Sequence, residues 1–134
     1  MKDGIARVNA GMERGGYRSL EVWRRSRALA IDVFRETQHG LLSKEWGLRD
    51  QMRRAAISAP SNIAEGTERG SNRDCVRFLW IAKGSLAELA TQADIAQDVG
   101  LLDSTTSSQW QDECRRLAGM LRRLIDARRR VSER

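Results

Sequence analysis

Leu79, Ala82, Leu86, Leu89, Ala93 and Ala96 alternate steps of three and four residues, the spacing of an apolar seam along one helix face. Ser71 precedes this run with Asp74 three residues on, a weak capping box, and Gly100 follows as a stop. The pattern predicts a helix over 71–100. Downstream, Trp110, Leu117 and Leu124 recur every seven residues, with Cys114 and Leu121 completing the seam and Asp103 or Ser104 starting the helix. Upstream, Leu48, Met52, Ala55, Ala59 and Ile63 stack on one face of a helix over 47–66. Before that, Trp23, Ala30 and Phe34, flanked by Leu20, Leu29 and Val33, mark a helix from Ser19, its cap, to Gln38, with Gly40 as its stop. No segment sustains a two-residue alternation, so no sheet is expected. Four helices with short connections predict an all-α, antiparallel up-and-down four-helix bundle.

Pro60 interrupts the pattern of the second helix. It has no N–H for the carbonyl of Ala56 and disfavours the helical region for Ala59, so a kink costing about 3 kcal/mol is expected unless something nearby compensates. Ser58, Ser61 and Asn62 surround it with short side chains able to bond freed backbone groups. Residues 1–16 contain Gly4, Gly11, Gly15 and Gly16 without an apolar period and read as a flexible tail. The bundle is expected over 17–131, with 132–134 a short C-terminal end.

At 134 residues, 40% hydrophobic and 31% charged, the chain fits one soluble domain. No apolar run approaches a membrane span and no leader resembles a signal peptide, so the expected compartment is the cytoplasm. Cys75 and Cys114 fall inside helical patterns, where they read as reduced, buried small hydrophobes or as a bridge between two helices. The single histidine, His39, excludes a multi-histidine metal site, and no metal or cofactor is expected.

The net charge of +6 is unevenly placed. Basic and acidic side chains balance through residue 114. Residues 115–134 then hold arginines at 115, 116, 122, 123, 128, 129, 130 and 134 against only Asp126 and Glu133. Cations at a helix C-terminus complement the macrodipole, at about 0.3–1 kcal/mol each, which accounts for two or three arginines but not eight. Arginine also makes bidentate phosphate contacts. Arg115, Arg116, Arg122, Arg123, Arg128, Arg129 and Arg130 are therefore candidates for binding RNA or DNA, without a motif for base selectivity.

Three blocks carry a family resemblance. The run Tyr17-Arg18-Ser19-Leu20-Glu21-Val22-Trp23, the run from Gln51 through Arg53, Arg54 and Pro60 to Asn62, Glu65 and Gly66, and the run from Phe78 to Leu89 with Gly84, Ser85 and Glu88 resemble the four-helix bundle proteins first noticed as products of intervening sequences in bacterial large-subunit ribosomal RNA genes. Lys83 stands where arginine is commoner, which keeps the charge. The resemblance implies an up-and-down bundle assembled as a homopentamer, with no established catalytic activity. A distant relative, the accessory variability determinant of diversity-generating retroelements, is a basic pentamer that binds nucleic acid and a reverse transcriptase.

The remaining polar residues carry competing readings. Asn62 on the apolar seam and Glu65 beyond it either bond to the neighbouring turn and fix the helix pairing, line a polar pocket for a small ligand, or face solvent. Gly84 costs about 1 kcal/mol in mid-helix relative to alanine, a cost that close approach of another helix, the second foremost, or a ligand contact would explain. Glu88 is expected to pair with Lys83 or Arg53. Trp23 and Trp110 lie on seams and read as core. Trp46 and Trp80 lie off them and either widen the core or form oligomer contacts. With no second histidine, phosphate loop or nucleophile–base pair, an enzyme is not expected. The sequence instead supports a homo-oligomeric, nucleic-acid-binding bundle, or a scaffold for an acidic protein partner.

Overall fold

A computed structural model describes residues 16–132. Four α-helices make up the bundle: α1 (Glu21–Glu36), α2 (Trp46–Thr67), α3 (Asn72–Asp98) and α4 (Ser104–Ser132). Short 3-10 turns at Tyr17–Ser19 and Leu41–Ser43 precede α1 and α2. Among the described residues there is no strand, and no helix is long and apolar enough to cross a membrane. The tail assigned to residues 1–16 lies outside the described residues except for Gly16, as does the end after Ser132.

Each helix packs against the next, and α1 closes the ring against α4. Cross-helix contacts show the direction of each pairing. Arg53 near the start of α2 meets Phe34 and Thr37 at the end of α1. Gly66 at the end of α2 meets Cys75 and Phe78 at the start of α3. Arg128 late in α4 meets Asn72, the first residue of α3. Arg25 and Asp32 of α1 pair in reverse order with Glu113 and Trp110 of α4. All four neighbours are thus antiparallel.

The seam of α3 is buried as its spacing predicts: Leu79, Ala82, Leu86, Leu89, Ala93 and Ala96 are at most 1% exposed. Ser71 accepts a hydrogen bond from the Asp74 amide at 3.2 Å. Gly100 at φ +80° ends the helix in a Schellman arrangement, with the Leu101 amide reaching Ala96 O at 2.8 Å and the Gly100 amide reaching Gln97 O at 3.1 Å. Asp103 caps α4, accepting from the Thr106 amide at 2.8 Å and the Thr106 hydroxyl at 2.8 Å, and these bonds hold its carboxyl below the usual range.

Three local expectations are corrected. On α1 the buried positions are Val22, Ser26, Leu29, Ala30 and Val33, so the face is turned by about one residue from the one marked by Trp23 and Phe34. Trp23 is half-buried, edge-on to Tyr17 at 5.0 Å. Ser19 does not cap α1. It lies in the preceding 3-10 turn, where its hydroxyl donates to Gly16 O at 2.7 Å, and Leu20 takes the cap position. On α4, Ile125 is fully buried and Leu124 only partly, because a straight helix drifts by about 20° per heptad from a strict seven-residue repeat.

Helix α2 continues through Pro60 without a break. Met52, Ala55, Ala56, Ala59 and Ile63, each at most 3% exposed, anchor it on both sides of the proline. Burial of this face offsets the bond that Pro60 cannot make.

The close approach between α2 and α3 is made by Gly66, not Gly84. A Cβ on Gly66 would lie 2.8 Å from Phe78 Cβ and 3.0 Å from Cys75 O, whereas one on Gly84 meets nothing within 4 Å. Gly66→Ala should therefore destabilise the protein by about 1–3 kcal/mol, the cost of overpacking a close contact. Gly84→Ala should stabilise it by about 0.5–1 kcal/mol, because it removes backbone freedom from the unfolded chain. Urea unfolding of the two variants checks both signs.

Candidate nucleic-acid interface

The buried face of α4 is drawn by Trp110, Cys114, Leu117, Leu121 and Ile125. A helix turns 100° per residue, so burying this stripe sends residues 116, 123 and 130 to the opposite side and 115, 122 and 129 to the flank between them and the seam. All six are arginines and all six are exposed. They form two rows at seven-residue spacing, about 10.5 Å between successive arginines in a row. Arg115, Arg122 and Arg129 run along the α3 side, and Arg116, Arg123 and Arg130 lie one residue further round.

Three of the six are partly neutralised. Arg115 pairs with Asp112 at 2.6 Å, Arg116 with Glu113 at 3.3 Å and Arg122 with Asp126 at 3.3 Å. The arginine side chains in these pairs are 55–73% exposed, so each pair contributes little and exchanges readily with solvent. Among the described residues, Arg123, Arg129 and Arg130 make no ion pair. Arg128 departs from the rows: it is half-buried at the α3 junction and donates to Asn72 Oδ1 at 3.2 Å.

Trp80 of α3 stands beside the first row. Its half-buried ring is surrounded by three cations, with Arg122 Cζ at 5.3 Å, Arg129 Cζ at 5.6 Å and Lys83 Nζ at 5.6 Å from the ring centroid. Trp46 opens α2 and is 69% exposed.

The polar residues of the middle block divide between two helix contacts and the surface. Arg53 turns to α1: Nε donates to Thr37 Oγ1 at 2.8 Å, Nη2 to Phe34 O at 3.3 Å, and the guanidinium lies 4.8 Å from the centre of the Phe34 ring. It thus supplies donors to the carbonyl end of α1. Asn62 Nδ2 donates to Ser58 O at 2.8 Å and Ser58 Oγ at 3.0 Å. Ser58 Oγ and Ser85 Oγ are 2.7 Å apart, and Ser85 Oγ donates to Ile81 O at 3.1 Å. One proton per hydroxyl leaves one arrangement, from Asn62 to Ser58 to Ser85 to Ile81 O. Asn62 therefore joins α2 to α3 through Ser58.

Glu88 takes neither of the partners expected of it, and Glu65 lies at the surface, one of its three readings. Glu65 pairs on the surface with Arg69 at 2.6 Å, one helical turn away. Glu88 accepts from Gln92 Nε2 at 3.3 Å, because Arg53 faces α1 and Lys83 faces Trp80. Gln51 and Arg54 are exposed.

Sequence reasoning missed the contacts that join α1 to α4. Arg25 grips Glu113 bidentately at 2.6 and 3.1 Å, and Trp110 Nε1 donates to Asp32 Oδ2 at 2.7 Å. It also missed Gln92 Oε1, the buried side-chain polar atom without a partner among the described residues. These residues are far apart in sequence, and only the fold brings them together.

A family model for the 23S rRNA-intervening sequence protein matches residues 18–123. The chain belongs to that family. A solved structure, described as a protein with unknown function from the S23 ribosomal protein family of Bacteroides thetaiotaomicron, superposes with a TM-score of 0.71 at 18% identity, covering 78% of this chain and 97% of that one. This likeness shows the shared fold. No curated protein matches the chain in sequence. The family match ends at Arg123, within the arginine rows, so Arg129 and Arg130 lie beyond it.

Cys75 and Cys114 are free thiols, both buried. Burial raises both, and Cys114 is pushed up to about 12, with neighbouring Glu113 adding to the rise. Thiolate is the reactive form, so neither should react with a thiol reagent at pH 8 in the folded protein. Adding denaturant should release both thiols, as read by absorbance of the displaced thiolate dye.

Proposed function

We propose that this family member is a non-enzymatic, self-associating bundle of the cytoplasm that binds RNA or DNA through the arginine rows of α4. The observation that carries the reading is the alignment of six exposed arginines in two rows along the solvent side of one helix. A phosphate backbone is met by guanidinium groups repeated along a line. The weak surface pairs of Arg115, Arg116 and Arg122 cost little to exchange for phosphate.

Two things support the self-associating part of the reading: the family resemblance, which implies a pentamer, and apolar surface left uncovered in the single chain. Trp46 is 69%, Val99 61% and Leu41 57% exposed. Several copies of a weak basic face on one particle raise effective affinity without new contacts. Light scattering at micromolar concentration should give a multiple of the 15.2 kDa subunit, five for a pentamer; a monomer's mass overturns this part of the reading.

Affinity for an RNA or DNA oligonucleotide should fall steeply with salt. Arg116→Gln, Arg123→Gln and Arg130→Gln together should make the slope of log affinity against log salt shallower by about 0.7–0.9 for each phosphate no longer neutralised. A wild type without salt-sensitive binding rules out the nucleic-acid reading. One observation favours a protein-binding scaffold in that event: a groove between α1 and α2 has an apolar floor of Ala30, Ile31, Phe34, Ile57 and Pro60, with Arg27 and Arg35 beside it, which suits an acidic, partly apolar partner.

A further inference from the structure

We propose that the nucleic acid held by α4 is single-stranded, and that Trp80 is the platform on which a base stacks; this rests on the nucleic-acid reading above. In a duplex the bases stack on one another and offer no free face, so a tryptophan beside a cationic row adds nothing to duplex binding. In a single strand every base has an open π-face, and an aromatic side chain within a basic track is the combination that captures it.

Trp80 sits in that position. It belongs to α3, yet Arg122 and Arg129 reach it from the α4 row, and Lys83 reaches it from one turn along its own helix. The cations and the ring therefore form one surface, with phosphate-binding groups within about 6 Å of a stacking face. Arg122 and Arg129 lie one heptad apart, so both flank the ring from separate turns of the row. A guanidinium lying over an indole uses the same face that a base would use, and long arginine stems let it move aside to a phosphate while a base takes its place. Neither contact touches the sugar 2′-position, so the surface should accept RNA and DNA alike.

The test uses the full-length oligomer with 12-nucleotide oligo(dT), oligo(U) and a duplex of equal length. The wild type should bind both single strands more tightly than the duplex. Trp80→Leu should weaken single-strand binding about tenfold, leave the salt slope unchanged and leave duplex binding unchanged. Trp80→Phe keeps an aromatic platform while removing the indole. It should retain single-strand affinity within about threefold but lose the tryptophan fluorescence quenching that oligo(dT) produces in the wild type. If Trp80→Leu fails to fold, the Trp80→Phe quenching result decides the matter. Equal, salt-sensitive binding of duplex and single strand, or quenching that persists in Trp80→Phe, overturns the stacking role and leaves the phosphate-binding rows standing. No salt-sensitive binding to any of the three removes both readings.

Discussion

The outer face of α4 is set by its inner one. Trp110, Leu117, Leu121 and Ile125 are at most 1% exposed, and Cys114 is 3% exposed. At about 1.5–3 kcal/mol for each large apolar side chain removed from water, this stripe outweighs any preference of the arginines for a particular orientation. Surface charge pairs contribute about 0–1 kcal/mol each. The rotation of α4 is therefore fixed by burial, and the arginine rows inherit their alignment from it. The same constraint excludes Arg128, whose place in the turn points it to the α3 junction and Asn72.

Apolar burial fixes which faces meet but allows helices to slide. Polar contacts between helices set the register. Trp110 is 1% exposed, and its indole N–H would be costly to bury unpaired; Asp32 receives it at 2.7 Å. The directed chain from Asn62 through Ser58 and Ser85 to Ile81 O tolerates no one-turn slip of α2 against α3, because each hydroxyl has a single proton to give. Gly66 adds a steric stop at the same interface. Register at α2–α3 thus rests on two independent devices, one polar and one steric.

The sequence made the helices legible because their seams repeat at a fixed period. The α3 stripe and the Ser71, Gly100 and Asp103 signals are local, and each appears where its chemistry requires. Pairings across helices were not legible. Gly66 closes its helix in the sequence and Gly84 sits inside its own, which points to Gly84 for the close approach; only the position of Phe78 shows that Gly66 makes it. Glu88 had two cations to choose from, yet Arg53 was already committed to the carbonyl end of α1. Trp23 packs half-buried against the core, while Val22 and Ser26 beside it are buried. The spacing of Trp23, Ala30 and Phe34 set the sequence reading, and the position of the neighbouring helices turned the buried face by about one residue.

The arginine rows were partly legible: the doublets at 115–116, 122–123 and 129–130 repeat every seven residues, and the seam at the same period implied that they face away from the core. What could not be read was their neighbour. Trp80 lies more than forty residues upstream of Arg122 and one step off its own seam. Antiparallel packing of α3 on α4 brings the early part of one beside the late part of the other, so residue 80 falls level with 122 and 129. Trp80 is half-buried and packs against the edge of the core, so it widens the core there while its outer part meets the α4 row. The ring and the cations support each other: the ring offers its π-face to Arg122, which also pairs with Asp126, and to Arg129, and their stems cover apolar surface that would otherwise face water. In the free protein, packing on the core and the cationic contacts together hold the ring in place, so its position does not depend on any ligand.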